Sequence, residues 1–321
     1  MAIENIASIG LGTIGHSWAT LFAIKGYNVM VYDIDQGVLR DALERVRAAA
    51  TFLADRGLIT KEDADTCLDR IKVAPSISEC VAKADYVQES VFESYDVKKQ
   101  VFSEVDRSNR SAIIATSSSG LLVTEIQKAT QRPERCIVAH PWNPPHLLKL
   151  VELVPGKKTS EQTIRATYQL MEKLDKIPVI VKKEVPGFIG NRLQAALWRE
   201  ALNLVNSGVA SVEDVERAVW AGPGARWAVM GPFLTFHLGG GLGGLKYHID
   251  TVQHSFSEYW KTMDDWKQMP YDAAKKAIEG VEQLCIVKEK SFQELVRWRD
   301  DKLVSVLKVQ ECLGRERRSE K

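Results

Sequence analysis

The chain has 321 residues, 45 % hydrophobic and 26 % charged, and 43 Lys and Arg against 42 Asp and Glu leave a net charge of +1. That length suits two domains with sizeable cores, and the balanced charge excludes a role built on nucleic acid or an anionic membrane surface. Five cysteines (Cys67, Cys80, Cys136, Cys285, Cys312) are scattered with no CxxC pair. The pattern points to reduced thiols in a cytoplasmic protein, and no apolar run reaches the length of a membrane span.

In chain order, residues 3–9 read as a short buried strand, so no leader peptide is expected ahead of it. A glycine turn follows, then a helix over 17–25 and a second strand over 28–32 ending at Asp33. This is a βαβ unit of the size of a parallel crossover. Helical spacing of apolar residues marks 38–53 and 61–68. Further strands are predicted at 86–87, 111–115, 136–139, 151–154 and 179–181. Strands alternating with helices give an α/β fold with a doubly wound, Rossmann-type sheet. The pattern changes at Val185-Pro186-Gly187, which places the boundary between an α/β domain (1–186) and an all-helical domain (187–321). There, 191–206 reads as an amphipathic helix, 212–220 as another with Ser211 at its N-cap, and the rest as helical. The basic end, 315–321, reads as a solvated tail.

Two groups of residues carry chemistry. Gly10, Gly12, Thr13, Ile14 and Gly15 form a GxGxxG turn that follows a strand, opens a helix and has an acid, Asp33, about 20 residues on. Glycine lets the backbone approach a pyrophosphate, and the helix start offers it unpaired N–H groups. Asp33 would accept from the adenosine ribose hydroxyls and repel a 2′-phosphate, and Ile34-Asp35 brings no arginine to offset that. NAD is therefore expected rather than NADP. The second group is His140 at the end of a strand, with Trp142, Asn143 and Pro144 after it and Glu152 on the next strand. Histidine titrates near neutrality and can take a hydroxyl proton and return it. A carboxylate on its other nitrogen would fix the tautomer. The plain alternative for a lone histidine is a satisfied structural side chain.

The motifs GLGTIG (10–15), ADYVQESVFE (84–93), ATSSSGL (115–121), HPWNPP (140–145), LVELVPGKKTS (150–160) and KKEVPGFIGNRL (182–193) together resemble the L-3-hydroxyacyl-CoA dehydrogenase family over nearly the whole chain. The resemblance implies His140 as catalytic base with Glu152 as its partner. It implies Ser119 and Asn191 as the groups that hold the substrate oxygen, and Glu93 and Lys98 beside the nicotinamide. Ser117 stands where the family usually has asparagine. Ser117 and Asn143 fall on the cofactor side, and a homodimer is implied.

The substrate divides two readings. Residues 41–72 mix acids and bases evenly and offer no patch for CoA phosphates. The run GPGARWAVMGP (222–232) resembles a free-acid branch that holds lambda-crystallin (an L-gulonate dehydrogenase) and L-carnitine dehydrogenase, and LWREAL (197–202) looks most like the carnitine enzyme. Arg226 then becomes the candidate for binding a substrate carboxylate, since guanidinium and carboxylate pair through two parallel bonds; a structural ion pair is the alternative. Trp142, Trp198, Trp220 and Trp227 are candidates for an aromatic cage around a quaternary ammonium, although tryptophans at helical spacing also serve core or interface. Lys149 matches the CoA-using branch and would disfavour a cationic substrate. An L-3-hydroxyacyl-CoA dehydrogenase is the second reading, and a non-catalytic NAD-binding structural protein the remote one. The glycines at 239–244 read as a flexible or closely packed loop, and the six histidines show no metal-ligand spacing.

Overall fold

The computed structural model describes residues 3–319, with side chains through residue 310. The expected tail at 315–321 and the Cys312 thiol lie outside the described side chains. The chain divides into two compact units, Met1–Arg192 and Leu193–Lys321.

The first unit is built on eight strands: β1 (Asn5–Ile9), β2 (Asn28–Tyr32), β3 (Ile71–Val73), β4 (Tyr86–Glu89), β5 (Ile113–Thr116), β6 (Cys136–Pro141), β7 (Leu150–Pro155) and β8 (Ile177–Ile180). They form one sheet in the order β3-β2-β1-β4-β5-β6-β7-β8. β1 to β6 are parallel, β7 runs antiparallel to β6, and β8 parallel to β7. β4, β5 and β6 are buried along their whole length, as expected of strands covered by helices on both faces. Phe102, Ile114, Val138 and Phe188 belong to the core beneath them.

The doubly wound reading holds, with three differences. β3 was not expected; a three-residue edge strand, Ile-Lys-Val, is too short to show a period. β8 begins at Ile177 rather than 179, with Pro178 inside it. Proline removes a ladder donor, and it is tolerated here because β8 is an edge strand. Most consequentially, β6 and β7 are joined by the loop 142–149 with no helix between them. Pro144 and Pro145 lack backbone donors, and the chain reverses into an antiparallel pair.

Side-chain caps set the helix starts. Asp35 accepts from the N–H groups of Gly37 and Val38, so the second helix starts earlier than expected, at Gln36, and runs to Asp55. The expected helix at 61–68 is Lys61–Thr66, capped by Thr60, followed by a short 3-10 turn. Entry into β6 is pinned by Asp106 on the helix Tyr95–Ser108. Its buried carboxylate accepts from Gln131 N–H (2.8 Å) and Arg135 Nη2 (2.5 Å), while Arg132 Nη2 donates to its carbonyl.

The second unit is helical throughout its described length. The helix Gly190–Asn206, which begins in the first unit, leads to Val212–Ala221, Pro223–Trp227, Pro232–Gly239, Gly244–Thr262, Tyr271–Gln283, Cys285–Glu289 and Phe292–Ser319. Ser211 caps as expected, accepting from Asp214 N–H. The glycine-rich stretch is a tightly packed turn: a Cβ on Gly240 would stand 1.9 Å from the Gly244 carbonyl oxygen, and Gly244 has φ +61°.

Removing the Asp106 carboxylate leaves Arg135 buried and unpaired. Asp106→Ala is expected to cost about 3–5 kcal/mol, read as a shift in the urea unfolding midpoint at unchanged slope.

Candidate active site

The glycine turn lies where β1 is flanked by β2 on one side and β4 on the other, the switch point of the sheet. Gly10 has φ +82°, and a Cβ there would stand 2.8 Å from the backbone of Ser90 at the end of β4; one on Gly15 would stand 1.7 Å from the Gly10 oxygen. Both positions therefore exclude a side chain. Gly12 differs, with nothing within 4 Å of the same position. Thr13 is exposed and Ile14 half-buried. Ile14 caps the helix Gly15–Ile24 without a side-chain bond; His16 N–H bonds the Gly12 carbonyl (3.2 Å), and no side chain caps the other N–H groups of that first turn. Open space beside Gly12 and uncapped donors fit a dinucleotide pyrophosphate.

Asp33 is held in place from two sides, accepting from Leu11 N–H (2.6 Å) and Asp35 N–H (3.0 Å). Two more side chains brace the turn and were missed in the sequence. Arg45 Nη2 donates to the Leu11 carbonyl (3.1 Å), and His16 Nδ1 bonds the Gly12 carbonyl (2.8 Å). Burial pushes the His16 pKa down, and the Arg45 charge adds to that, against the bond to Gly12. Arg45 stands 34 residues from Leu11, a separation that no local motif marks.

At the same edge of the sheet, His140 and Glu152 are direct cross-strand partners on β6 and β7. His140 Nδ1 lies 2.9 Å from one Glu152 oxygen, and the other oxygen accepts from the N–H groups of Ile189 (2.8 Å) and Gly190 (3.0 Å). Burial raises the Glu152 carboxyl, but the bonds from His140, Gly190 and Ile189 outweigh it and hold it below the usual carboxylate range. With Nδ1 donating to a carboxylate, Nε2 is left as the acceptor. Phe188 packs on the His140 ring at 5.7 Å between centres and adopts φ +52°, a left-handed conformation costly for a bulky residue. That strain sits in the turn that presents Ile189 and Gly190 to Glu152.

Ser119 and Asn191 are also brought together, with Asn191 Nδ2 donating to the Ser119 carbonyl (2.8 Å). Glu93 accepts from Ser119 N–H (3.0 Å) and Ser118 Oγ (2.5 Å) and pairs with Lys98 at 3.3 Å. Burial raises the Glu93 carboxyl, and the Ser118, Lys98 and Ser119 contacts bring it below the usual range. The fully buried Lys98 also donates to the equally buried Glu89 (2.8 Å), whose other oxygen has no partner among the described residues. Ser117 Oγ accepts from Gln88 Nε2 and bonds Ser90 Oγ, each at 2.8 Å. Gln88, Glu89, Ser90 and Ser118 were not singled out in the sequence, although all lie inside the motifs at 84–93 and 115–121.

Trp142 lies against the start of the helix Gly190–Asn206: a Cβ on Gly190 would stand 2.5 Å from its ring. Its indole N–H is buried without a partner. Asn143 is exposed in the loop 142–149. Arg226, Trp198 and Trp227 belong to the second unit and are exposed. Among the described residues the Arg226 guanidinium makes no ion pair, and Trp198 and Trp227 make no ring contact. The aromatic cluster of that unit is instead Phe236, His248, Phe256, Tyr259 and Trp260.

A glycine turn at the switch point and a histidine–carboxylate pair at the same strand edge define a Rossmann-type, dinucleotide-dependent oxidoreductase. The family model for the 3-hydroxyacyl-CoA dehydrogenase NAD binding domain matches residues 5–185, and that for the C-terminal domain matches 187–280. The chain belongs to the 3-hydroxyacyl-CoA dehydrogenase family and is an NAD-dependent oxidoreductase. It is 36 % identical to an L-carnitine dehydrogenase of Oceanobacillus iheyensis, over 96 % of this chain and 99 % of the relative. Among solved structures, it is similar to 5-formyl-3-hydroxy-2-methylpyridine 4-carboxylic acid 5-dehydrogenase, an NAD+-dependent dismutase (TM-score 0.83, 29 % identity, 97 % and 99 % of the two chains). It is also similar to (S)-3-hydroxybutyryl-CoA dehydrogenase of Ralstonia eutropha (TM-score 0.65, 27 % identity, 88 % and 93 %).

Glu152→Gln is expected to lower kcat by roughly 10²-fold or more at unchanged fold, measured with saturating NAD. Since Glu152 titrates below its unfolded value, its contribution to stability is present above the usual carboxylate range and is lost as pH falls through the folded value. The Tm of E152Q should therefore decline less than that of wild type between about pH 5 and pH 3. Gly190→Ala should displace Trp142 and cost about 1–3 kcal/mol, read by urea unfolding.

Proposed function

We propose that this protein oxidises a small free L-3-hydroxy acid to the 3-oxo acid with NAD, and catalyses the reverse, with L-carnitine and L-gulonate as leading substrates. The observation that carries the reading is the His140–Glu152 pair. Whole-length likeness to an L-carnitine dehydrogenase supports a free acid, as does likeness to an enzyme named for a carboxylic acid.

Gly10, Gly12, Thr13, Ile14, Gly15 and Asp33 would hold the dinucleotide, with Glu93, backed by the buried Lys98, beside the nicotinamide and Ser117 and Asn143 also on the cofactor side. NAD, when bound, supplies the hydride acceptor. His140 Nε2 takes the proton of the 3-hydroxyl as the hydride departs from C3. The Glu152 carboxylate stabilises the imidazolium that forms and holds the ring in one tautomer. The Ser119 hydroxyl and the Asn191 amide hold the substrate oxygen while its charge changes. Arg226, which has no ion pair among the described residues, binds the substrate carboxylate through two parallel charge-assisted bonds.

The second unit serves substrate binding and dimerisation. Trp220, Phe233, Trp260 and Tyr271 are exposed there, and an apolar surface of that kind supports a homodimer. Cys67, Cys80 and Cys136 are buried free thiols, consistent with a cytoplasmic protein. The second reading, an L-3-hydroxyacyl-CoA substrate, is favoured by likeness to the Ralstonia enzyme and by Lys149 in the loop beside His140.

The deciding experiment is NADH formation at alkaline pH with L-carnitine, L-gulonate, L-3-hydroxybutyrate, 3-hydroxypropionate and L-3-hydroxybutyryl-CoA side by side. The free-acid reading expects high kcat/KM on one free acid, and turnover on the thioester alone overturns it. On the preferred acid, Arg226→Leu should raise KM about 100-fold, corresponding to loss of a charge-assisted pair. An unchanged KM would remove Arg226 from the site.

A further inference from the structure

We propose that Lys176 is a positioning residue for the cofactor site: its amine holds the loop 142–149 against the helix Gly15–Ile24 in the conformation that accepts NAD. The proposal rests on the NAD dependence of the family and not on which hydroxy acid is oxidised.

Lys176 precedes β8 and is 6 % exposed. Its Nζ donates to the Pro145 carbonyl and to the Leu148 carbonyl (2.7 Å), bridging the loop from within. On its other side lies Trp18 of the dinucleotide helix, with its ring centre 5.9 Å from Nζ; Trp18 is itself buried and stacked on Phe22. A second tie runs beside the first. Ser17, on the same helix, accepts from His146 N–H (2.9 Å), and its Oγ bonds His146 Nδ1 (2.7 Å). The loop tied in this way carries Asn143, follows His140 directly and leads into β7 and Glu152. Its geometry therefore reaches both the cofactor and the proton-transferring pair.

A neutral amine supplies both N–H groups that the two carbonyls take; the Trp18 ring face favours the ammonium, but at 5.9 Å from Nζ it stands at the far limit of such a contact. The charges around the group point the same way. Lys149 on the loop and Lys25 at the end of the dinucleotide helix disfavour a further cation. Asp175 opposes them but is already paired with Lys25. His146 is engaged by Ser17, β8 contributes no titratable group, and Glu172 and Lys173 on the preceding helix are exposed. Burial is the largest influence, and together these push the Lys176 pKa down from 10.5 to about 7. A loop released from the helix would return the amine to water and toward its ordinary value. Closing the loop thus expels a proton between these two values. The closed state, with the lower value, gains as pH rises from about 7 and is at its weakest below that.

NADH binding, followed by fluorescence in wild type and Lys176→Met without substrate, tests this directly. Wild type should bind at least tenfold, and up to about 10²-fold, more tightly at pH 9.5 than at pH 7. K176M should bind about tenfold more weakly than wild type at pH 9.5 and lose the pH dependence. Wild-type affinity in K176M, or a slope retained in it, overturns the proposal. Calorimetry of NADH binding to the wild-type enzyme at pH 8.5, in buffers of different ionisation heat, needs no variant. Net proton release is expected, and release of none overturns the proposal equally. Neither readout depends on the hydroxy-acid substrate, so a failed substrate panel leaves this test intact.

Discussion

The site depends on one carboxylate. Glu152 receives His140 on one oxygen and the backbone of Ile189 and Gly190 on the other. It therefore joins β6, β7 and the start of the helix Gly190–Asn206 at a single point. This junction exists because β7 reverses against β6. A helical crossover in a parallel sheet would place the following strand's carboxyl edge beside His140, with Glu152 three positions short of that end. Antiparallel pairing sets residue 140 directly opposite residue 152, with both side chains on one face.

A second set of charges is arranged on the same logic. Glu89, Lys98 and Glu93 form a chain of charges that runs from the buried end of β4 through Lys98 on the helix Tyr95–Ser108 to the exposed Glu93. Burying ions is costly unless each is paired, and here the Lys98 ammonium is shared by two carboxylates. Glu93 passes the order on to Ser118 and Ser119, and Asn191 ties Ser119 to the helix that Glu152 caps. Rigid strand ends thus hold exposed groups such as Ser119 at defined positions.

Much of this was legible before any coordinates. Gly10, Gly12, Gly15 and Asp33 announce themselves because a phosphate-binding turn imposes residue types at fixed spacing. His140 and Glu152 were found from their places on neighbouring strands, Glu93 and Lys98 through family motifs, with the pairing of each then given by the structure. Arg45, His16 and Lys176 escaped for a common reason. Each acts by bonding a main-chain carbonyl, Leu11, Gly12, or Pro145 and Leu148, and a carbonyl carries no sequence signal. Glu89 and Ser118 lay inside recognised motifs but were indistinguishable there from strand and turn residues.

Local periodicity, turn chemistry and motif spacing by themselves determined the fold class, the helical second unit and the dinucleotide turn, and named His140 and Glu152 as the candidate base and its carboxylate. These depend on residues close together in the chain or on residue types that only one kind of chemistry requires. Tertiary structure alone decided that β7 runs backwards, that Trp142 packs on Gly190, that Lys98 serves two carboxylates and that Lys176 lies between the loop 142–149 and Trp18. Those outcomes arise from packing between segments far apart in sequence, where burial and the need to satisfy each polar group select one arrangement among many that the local pattern allows.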